Sequence, residues 1–344
     1  GILAETVSGG RVSFEVAVVS LAVVMLTYET LGGMRSVAWT DVLQGVVLLV
    51  SLAFIAFALF FRLGGPAGVA EGLEAARPDI WSAPSPAEKV TWMSSVLLFF
   101  FGISMYPHAI QRIYAARDEA TLRRSLQLMV FMPLITTLLL VLLGVMAIAV
   151  FPDLGRTESD KTTLLMVGEM VRELPALVVM GPILVAAVVA ATMSTIDSAL
   201  LAISSMVSND LYRPMRPGRS ETHLTRVGKL TSFALMASVV ALTIALKEQT
   251  IWRLLEIKLE VLSQVAPAVM LGLHWKRLNA VAVFCGAATG TLVAVALSFG
   301  AFDLGAKPLG VHAGIWGLAL NLVVLLGVQA ATNSGRTGTP CPAR

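Results

Sequence analysis

The sequence predicts an all-α polytopic membrane protein with about nine transmembrane helices, each near the 20 residues that cross a bilayer. Three observations carry that reading. The 344 residues are 56% hydrophobic and only 14% charged, with a mean hydropathy of +0.81, outside the range of soluble domains. Apolar runs of membrane length recur along the whole chain. Lys and Arg gather in alternate loops, as the positive-inside rule requires of a multi-pass protein.

The spans follow in order. The first covers residues 13–31 and ends at Gly32 and Gly33, read as a break. The second, 38–62, opens with AWTDVLQG and is then almost purely apolar. A Gly/Pro/Ala-rich linker, 63–90, carries a short helical stretch near 69–76. The third span, 91–115, contains Gly102, Ser104, Tyr106, Pro107 and His108 at membrane depth. The fourth is 124–151. A mixed-charge linker, 152–175, has a short amphipathic stretch near 161–173. The fifth span is 176–211, followed by a basic loop, 213–229. The remaining spans are 228–247, 251–273, 279–300 and 313–331, with a polar tail from Asn333. Grouped as domains, 1–332 is a membrane domain and 333–344 a tail.

Basic residues cluster at 112–124, 213–229, Lys276 and Arg277, Arg336 and Arg344, all on one side for an odd number of spans. That side is cytoplasmic, which puts the C-terminus inside a plasma (inner) membrane. The net charge of +3 is small and gives no basis for nucleic-acid binding. Cys285 and Cys341 are far apart, which excludes a disulfide framework and a cysteine metal site. No nucleotide-binding loop, HExxH or nucleophile motif is present, so enzyme classes built on them are excluded. The chain opens on Gly1, already within apolar protein and without a signal peptide, so the native N-terminus is expected upstream.

The fifth span is the most informative stretch: ILVAAVVAATMSTIDSALLAISSMVSNDLYRP. Ser194, Asp197 and Ser198 stand at i, i+3 and i+4 and share one helical face. Hydroxyls and a carboxylate at mid-membrane depth normally face a cavity or pathway. All-oxygen side chains suit a hard cation such as Na⁺. The alternative is that the hydroxyls are small packing residues bonded back to their own backbone, but packing does not call for Asp197. Asp41, at the start of the second span, reads either as a helix cap beside Thr40 or as a carboxylate on an ion pathway. Pro107 and Gly102 interrupt the third span, and Gln264 with Pro267 the seventh. Such breaks free backbone groups that substrate sites use, or are plain kinks. Glu256, Lys258 and Glu260 read as an external mouth with Lys258 snorkelling. Arg112 reads as a positive-inside residue, His108 as a lone ring near a break, and His223, His274 and His312 as uninformative.

Three stretches, GGMRSVAWTDVLQG, PHAIQRIYAARDEATLRRS and AATMSTIDSALLAISSMVSNDLY, resemble segments of the sodium:solute symporter family, and QVAPAVMLGLHWKRLN matches more weakly. The resemblance runs from Gly32 to Asn279 in the family's order. It implies a LeuT-type fold of two inverted five-helix repeats. Residues 13–62 would close the first repeat, 91–273 would form the second, and 279–331 would be peripheral helices. The chain would then hold a partial fold, lacking the first three core helices.

The resemblance also implies site residues. The family's common sodium site matches the Ala191 carbonyl and the hydroxyls of Ser194 and Thr195. A second sodium site found in some members matches Ser194, Asp197, Ser198 and Asp41, with Asp197 standing where a hydroxyl is usual. Substrate is expected near Ser104, Tyr106 and Gln264, beside the broken helices. The implied function is sodium-coupled secondary symport of a small organic solute, an amino acid or carboxylate, across the plasma membrane. The partners are that solute, Na⁺ and the bilayer, with no cofactor beyond the coupling ion, no enzymatic step and no assigned oligomeric state. A membrane sensor domain and a non-transporting remnant are the alternatives.

Overall fold

In the computed structural model, residues 4–5, 8–155, 158–173, 180–247, 249–301 and 304–334 are described. Among them the chain is helical, with no strand. The helices are α1 (Phe14–Arg62), α2 (Gly65–Ala76), α3 (Pro86–Ile103), α4 (Pro107–Tyr114), α5 (Glu119–Val150) and α6 (Thr162–Glu173). They continue as α7 (Met180–Met206), α8 (Glu221–Ala245), α9 (Ile251–Leu262), α10 (Ala266–His274), α11 (Ala280–Ser298) and α12 (Ala313–Ser334). Among the described residues, seven stretches are long and apolar enough to cross a membrane, or eight if the bent pair α3 and α4 counts as one span. The expected seventh span, 251–273, is divided between α9 and α10 by a 3₁₀ turn at Ser263–Val265.

The backbone forms where caps and breakers allow it. The Ser13 and Ser220 side chains accept from the N–H groups of Val16 and His223 and start α1 and α8. Ser85 and Glu88 form a capping box at α3. Asp118 caps α5, and the Thr121 backbone N–H holds its carboxyl below the usual carboxylate range. The expected break at Pro107 is present: helix ends at Ile103, resumes at Pro107, and bends by 46°.

The break expected at Gly32 and Gly33 is not. The helix runs unbroken for 49 residues, about 74 Å at 1.5 Å per residue. It carries two membrane-length apolar stretches, Phe14–Leu31 and Asp41–Arg62. Glycine in a helix costs only about 1 kcal/mol relative to alanine, so two glycines weaken the helix without ending it. The sixth span also begins earlier than its apolar run suggests, because the Ser220 cap draws Glu221–Lys229 of the basic loop into α8.

The chain divides into two compact units. One holds residues 1–81 and 111–250. Its larger core joins the second half of α1 (Leu52, Ile55, Leu59) to α2, α5 and α6. A smaller core packs the first half of α1 (Ala22, Met25) on Leu200 of α7 and Met236 of α8.

The other unit holds residues 82–110 and 251–344. Here small residues let backbones approach. A Cβ on Gly102 would lie 2.9 Å from the Leu259 side chain. One on Gly290 of α11 would lie 2.4 Å from Gln264 Oε1 and 2.8 Å from the Gly317 carbonyl of α12. This is the small-residue packing that holds helices together in lipid, where the hydrophobic effect does not drive association.

Gly290→Leu should therefore destabilise the protein by about 1–3 kcal/mol or more, the usual cost of overpacking. Gly272→Ala, with nothing within 4 Å of the added methyl, should be neutral or stabilising by up to about 1 kcal/mol. Thermal unfolding in detergent micelles distinguishes the two.

Candidate ion-binding site

The centre of the first unit is a junction of three helical segments. Asp197 and Ser198 on α7 are both buried, Asp197 at 2% exposure. Ser194, one turn back on the same face, is half-buried. Tyr28 of α1 donates its hydroxyl to Asp197 Oδ2. Arg112 of α4 donates to Asp41 Oδ2 on α1 at 2.5 Å and to Ser198 Oγ at 2.6 Å. One guanidinium thus joins two of the residues expected at the second ion site. The capping alternative for Asp41 is overturned, because residues 40 and 41 lie inside the unbroken helix α1, where no helix start exists to cap.

The charge count at this junction favours a cation. Asp41 and Asp197 are two carboxylates, and Arg112 is one positive charge. Three further acceptor oxygens, Asp41 Oδ1, Asp197 Oδ1 and Gln44 Oε1, are buried without a hydrogen-bond partner. Gln44 stands three residues beyond Asp41, on the same helical face. Uncompensated buried carboxylate is costly in a low-dielectric interior, and a hard monovalent ion with oxygen ligands is one group that would offset it.

The residues matched to the common sodium site lie on the preceding turn of α7. Ala191 and Ser194 are half-buried and Thr195 is exposed. Thr195 Oγ1 donates to the Ala191 carbonyl at 3.3 Å, and Thr192 Oγ1 to the Val189 carbonyl. The back-bonding expected of hydroxyls in apolar helices is therefore present for both threonines. It does not exhaust them, since a hydroxyl keeps two lone pairs after its proton is committed.

Tyr28 and Arg112 were not predicted as site residues. Tyr28 carried no signal, being one aromatic residue in an apolar run. Arg112 had an adequate explanation in the positive-inside rule, and nothing local marks an arginine whose partner is 71 residues away.

The second unit holds the expected substrate residues. Ser104 is exposed at the break after α3, and its hydroxyl donates to the Phe100 carbonyl at 2.8 Å. The Tyr106 ring stacks on His108, with centroids 5.1 Å apart, and carries the Lys258 ammonium 5.0 Å from its centroid. Gln264 is different in kind, being only 1% exposed. Its amide nitrogen donates to the Glu260 and Gly314 carbonyls, while Asn321 donates to its backbone carbonyl. In this arrangement it is a satisfied interior amide that ties the 3₁₀ turn to α12.

Two readings of this unit are corrected. Glu256 and Glu260, expected at an external mouth, are buried at 3% and 0% exposure. Glu256 is paired with Arg253 and Lys307, and Lys258 lies over Tyr106 instead of snorkelling. His312, expected to be uninformative, is 1% exposed, with Ser95 at 3.0 Å from Nε2 and Glu260 Oε1 at 3.5 Å from Nδ1. Their sequence spacing resembled a loop-proximal charge cluster, and the packing of α3, α11 and α12 on α9 encloses them.

Comparison with known proteins gives these residues a setting. The family model for the sodium:solute symporter family matches residues 1–290. The high-affinity proline transporter PutP of Bacillus subtilis is 28% identical over 79% of this chain and 57% of its own length. The osmoregulated proline transporter OpuE of the same organism is 28% identical over 95% of the chain and 66% of its own length. A sodium/pantothenate symporter of Haemophilus influenzae is 26% identical over 94% of the chain and 65% of its own length. The chain thus spans 57–66% of the length of these relatives. A solved Na⁺-coupled sialic acid symporter, in a substrate-bound outward-open state, shares the fold at a TM-score of 0.65 and 20% identity. That match covers 91% of this chain and 66% of that one. The chain belongs to the sodium:solute symporter family, as a multi-pass membrane protein.

Proposed function

We propose that the protein takes part in sodium-coupled secondary symport of a small organic solute, an amino acid or carboxylate. The observation that carries this is the junction on α7: two carboxylates, one guanidinium and three unpartnered buried acceptor oxygens. Net negative charge and unpartnered oxygens are costly in such a place, and a bound cation would offset that cost. The Ala191 carbonyl and the Ser194 and Thr195 hydroxyls supply one sodium site. Ser194, Asp197, Ser198 and Asp41 supply a second, with Tyr28 fixing the Asp197 carboxylate.

Arg112 has a definite part in this reading. Its guanidinium bridges Asp41 and Ser198, the position a second sodium ion would take. It is an internal stand-in that holds the acids when sodium is absent and must swing aside when the ion arrives. Solute binds beside the bend between α3 and α4, where Ser104 and Tyr106 are half-buried or exposed and where helix ends offer backbone dipoles. Gln264 supports that region from behind. The proline and pantothenate transport of the relatives makes a zwitterionic amino acid or a small carboxylate the expected class of solute. Coupling is reciprocal: sodium and solute raise each other's affinity by the same factor. The basic clusters put the C-terminus on the cytoplasmic side.

Sodium-dependent binding tests this directly, screened across radiolabelled amino acids and carboxylates. Ser194→Ala should raise the sodium required for solute binding by about tenfold, the loss of one ligand or about 1.4 kcal/mol. Asp197→Asn should reduce the bound sodium by one ion. If no solute binds more tightly with sodium than with choline, the symport reading is wrong.

Arg112→Gln should act in the opposite direction. Removing a competing cation lowers the half-saturating sodium concentration, by a factor on the order of ten. It should also reduce stability in choline, where Asp41 then has no partner. Sodium titrations of solute binding, alongside melting curves in both salts, measure the two effects.

A further inference from the structure

A second polar feature of the first unit lies apart from the junction. A cavity of about 470 Å³ opens between the end of the Phe14–Leu31 stretch, the C-terminal part of α7 and the start of α8. Its buried lining is formed by Glu29, Ser204, Ser208 and Ser232. Thr225, Glu221 and Lys229 stand at its exposed rim.

The hydroxyls there have already spent their protons. Ser204 Oγ donates to the Leu201 carbonyl at 3.2 Å and Ser208 Oγ to the Leu224 carbonyl at 2.8 Å. Thr225 Oγ1 donates to the Glu221 carbonyl at 2.9 Å, and Ser232 Oγ to Glu29 Oε1 at 3.1 Å. A hydroxyl has one proton and two lone pairs, so these four groups can only accept. Glu29 is 5% exposed, and its second oxygen, Oε2, has no partner. These hydroxyls thus present acceptor lone pairs around an unpartnered carboxylate oxygen, with Ser205 and Asn209 also in the lining.

Charge completes the picture. Glu221 is paired with Arg213. Lys229 stands at the exposed rim, where its ammonium is only partly screened and opposes a cation by repulsion without entering the buried wall. At Val207–Tyr212 the chain is π-helical, a widened turn that is rare and frequent at functional sites. It sets Ser208 and Asn209 into the wall.

We propose that this cavity is a further cation site, taking a hard monovalent ion with part of its water shell. Carboxylate and hydroxyl oxygens without sulfur or imidazole exclude the softer transition metals. The volume exceeds that of a bare ion, so water fills the remaining coordination positions. Glu29 supplies the charge, and the hydroxyls of Ser204, Ser208 and Ser232 orient the ion or its water. The site is distinct from the Asp41–Asp197 junction and does not depend on the proposed symport.

The test counts bound ²²Na⁺ on the full chain in nanodiscs, on a Ser194→Ala/Asp197→Asn background that disables the sites on the central turns of α7. Residual sodium binding should remain there and be displaced by excess Na⁺ but not by choline. Adding Glu29→Gln should weaken it at least about tenfold. The amide keeps the Ser232 bond and removes only the charge. Lys229→Ala should tighten binding severalfold by removing a nearby positive charge. Binding unchanged by Glu29→Gln overturns the proposal. So does weaker binding or no change in Lys229→Ala, which would make the cavity a place for that ammonium. Should Glu29→Gln fail to fold, the Lys229→Ala result decides.

Discussion

Two carboxylates inside a membrane helix bundle must find positive charge, and the first unit is arranged around that requirement. Asp41 and Asp197 come from helices far apart in sequence. Tyr28 supplies a hydrogen-bond donor to one and Arg112 a full charge to the other. This compensation is incomplete by one charge and three hydrogen bonds. A protein that needed only a stable interior would place well-packed apolar residues here at lower cost. The retained acids are what the proposed role as cation ligands would require.

The second unit solves the same problem by closing it. Glu256 and Glu260 are as deeply buried as Asp197, yet Arg253, Lys307, Ser298 and His312 surround them. Trp252 adds a donor to Glu256 at 2.8 Å. The glycines of α11 and α12 bring backbones close enough for Gln264 and Asn321 to join the 3₁₀ turn to α12. Its carboxylates are matched by cationic side chains, although Glu260 Oε1, His312 Nδ1 and Asn321 Oδ1 keep no hydrogen-bond partner. The broken helix around Ser104, Tyr106 and Pro107 is held on that rigid support, with Gly102 packed directly on Leu259.

Local patterns made part of this legible. The i, i+3, i+4 spacing put Ser194, Asp197 and Ser198 on one face, and Pro107 marked a real bend, because both effects act within one or two turns. The short helices of the linkers, and the seven or eight membrane-length stretches, follow from composition and period alone. What failed depended on distant partners or on energies too small to decide. Gly32 and Gly33 weaken a helix, but tertiary packing sets whether it ends there. Tyr28 meets Asp197 across 169 residues, and no periodicity announces that. Glu256, Glu260 and His312 read as boundary charges because charge usually lies at a boundary. Gln264 stood out as a polar residue at a break and was expected near substrate, whereas its partners in α12 were not foreseeable from its own span.

The claim on which the rest stands is that Arg112 and a sodium ion compete for the same acids. A double-mutant cycle between Arg112 and Asp41, measured by unfolding in choline chloride and again in sodium chloride at equal ionic strength, tests it most directly. The account predicts a coupling of about 0.2–1 kcal/mol in choline, the range for an ion pair whose arginine is more than half exposed, shrinking by at least about half in sodium as the ion takes over the guanidinium's place. Equal coupling in the two salts would mean that Arg112 and Asp41 are a permanent structural pair and that no ion contends for the site.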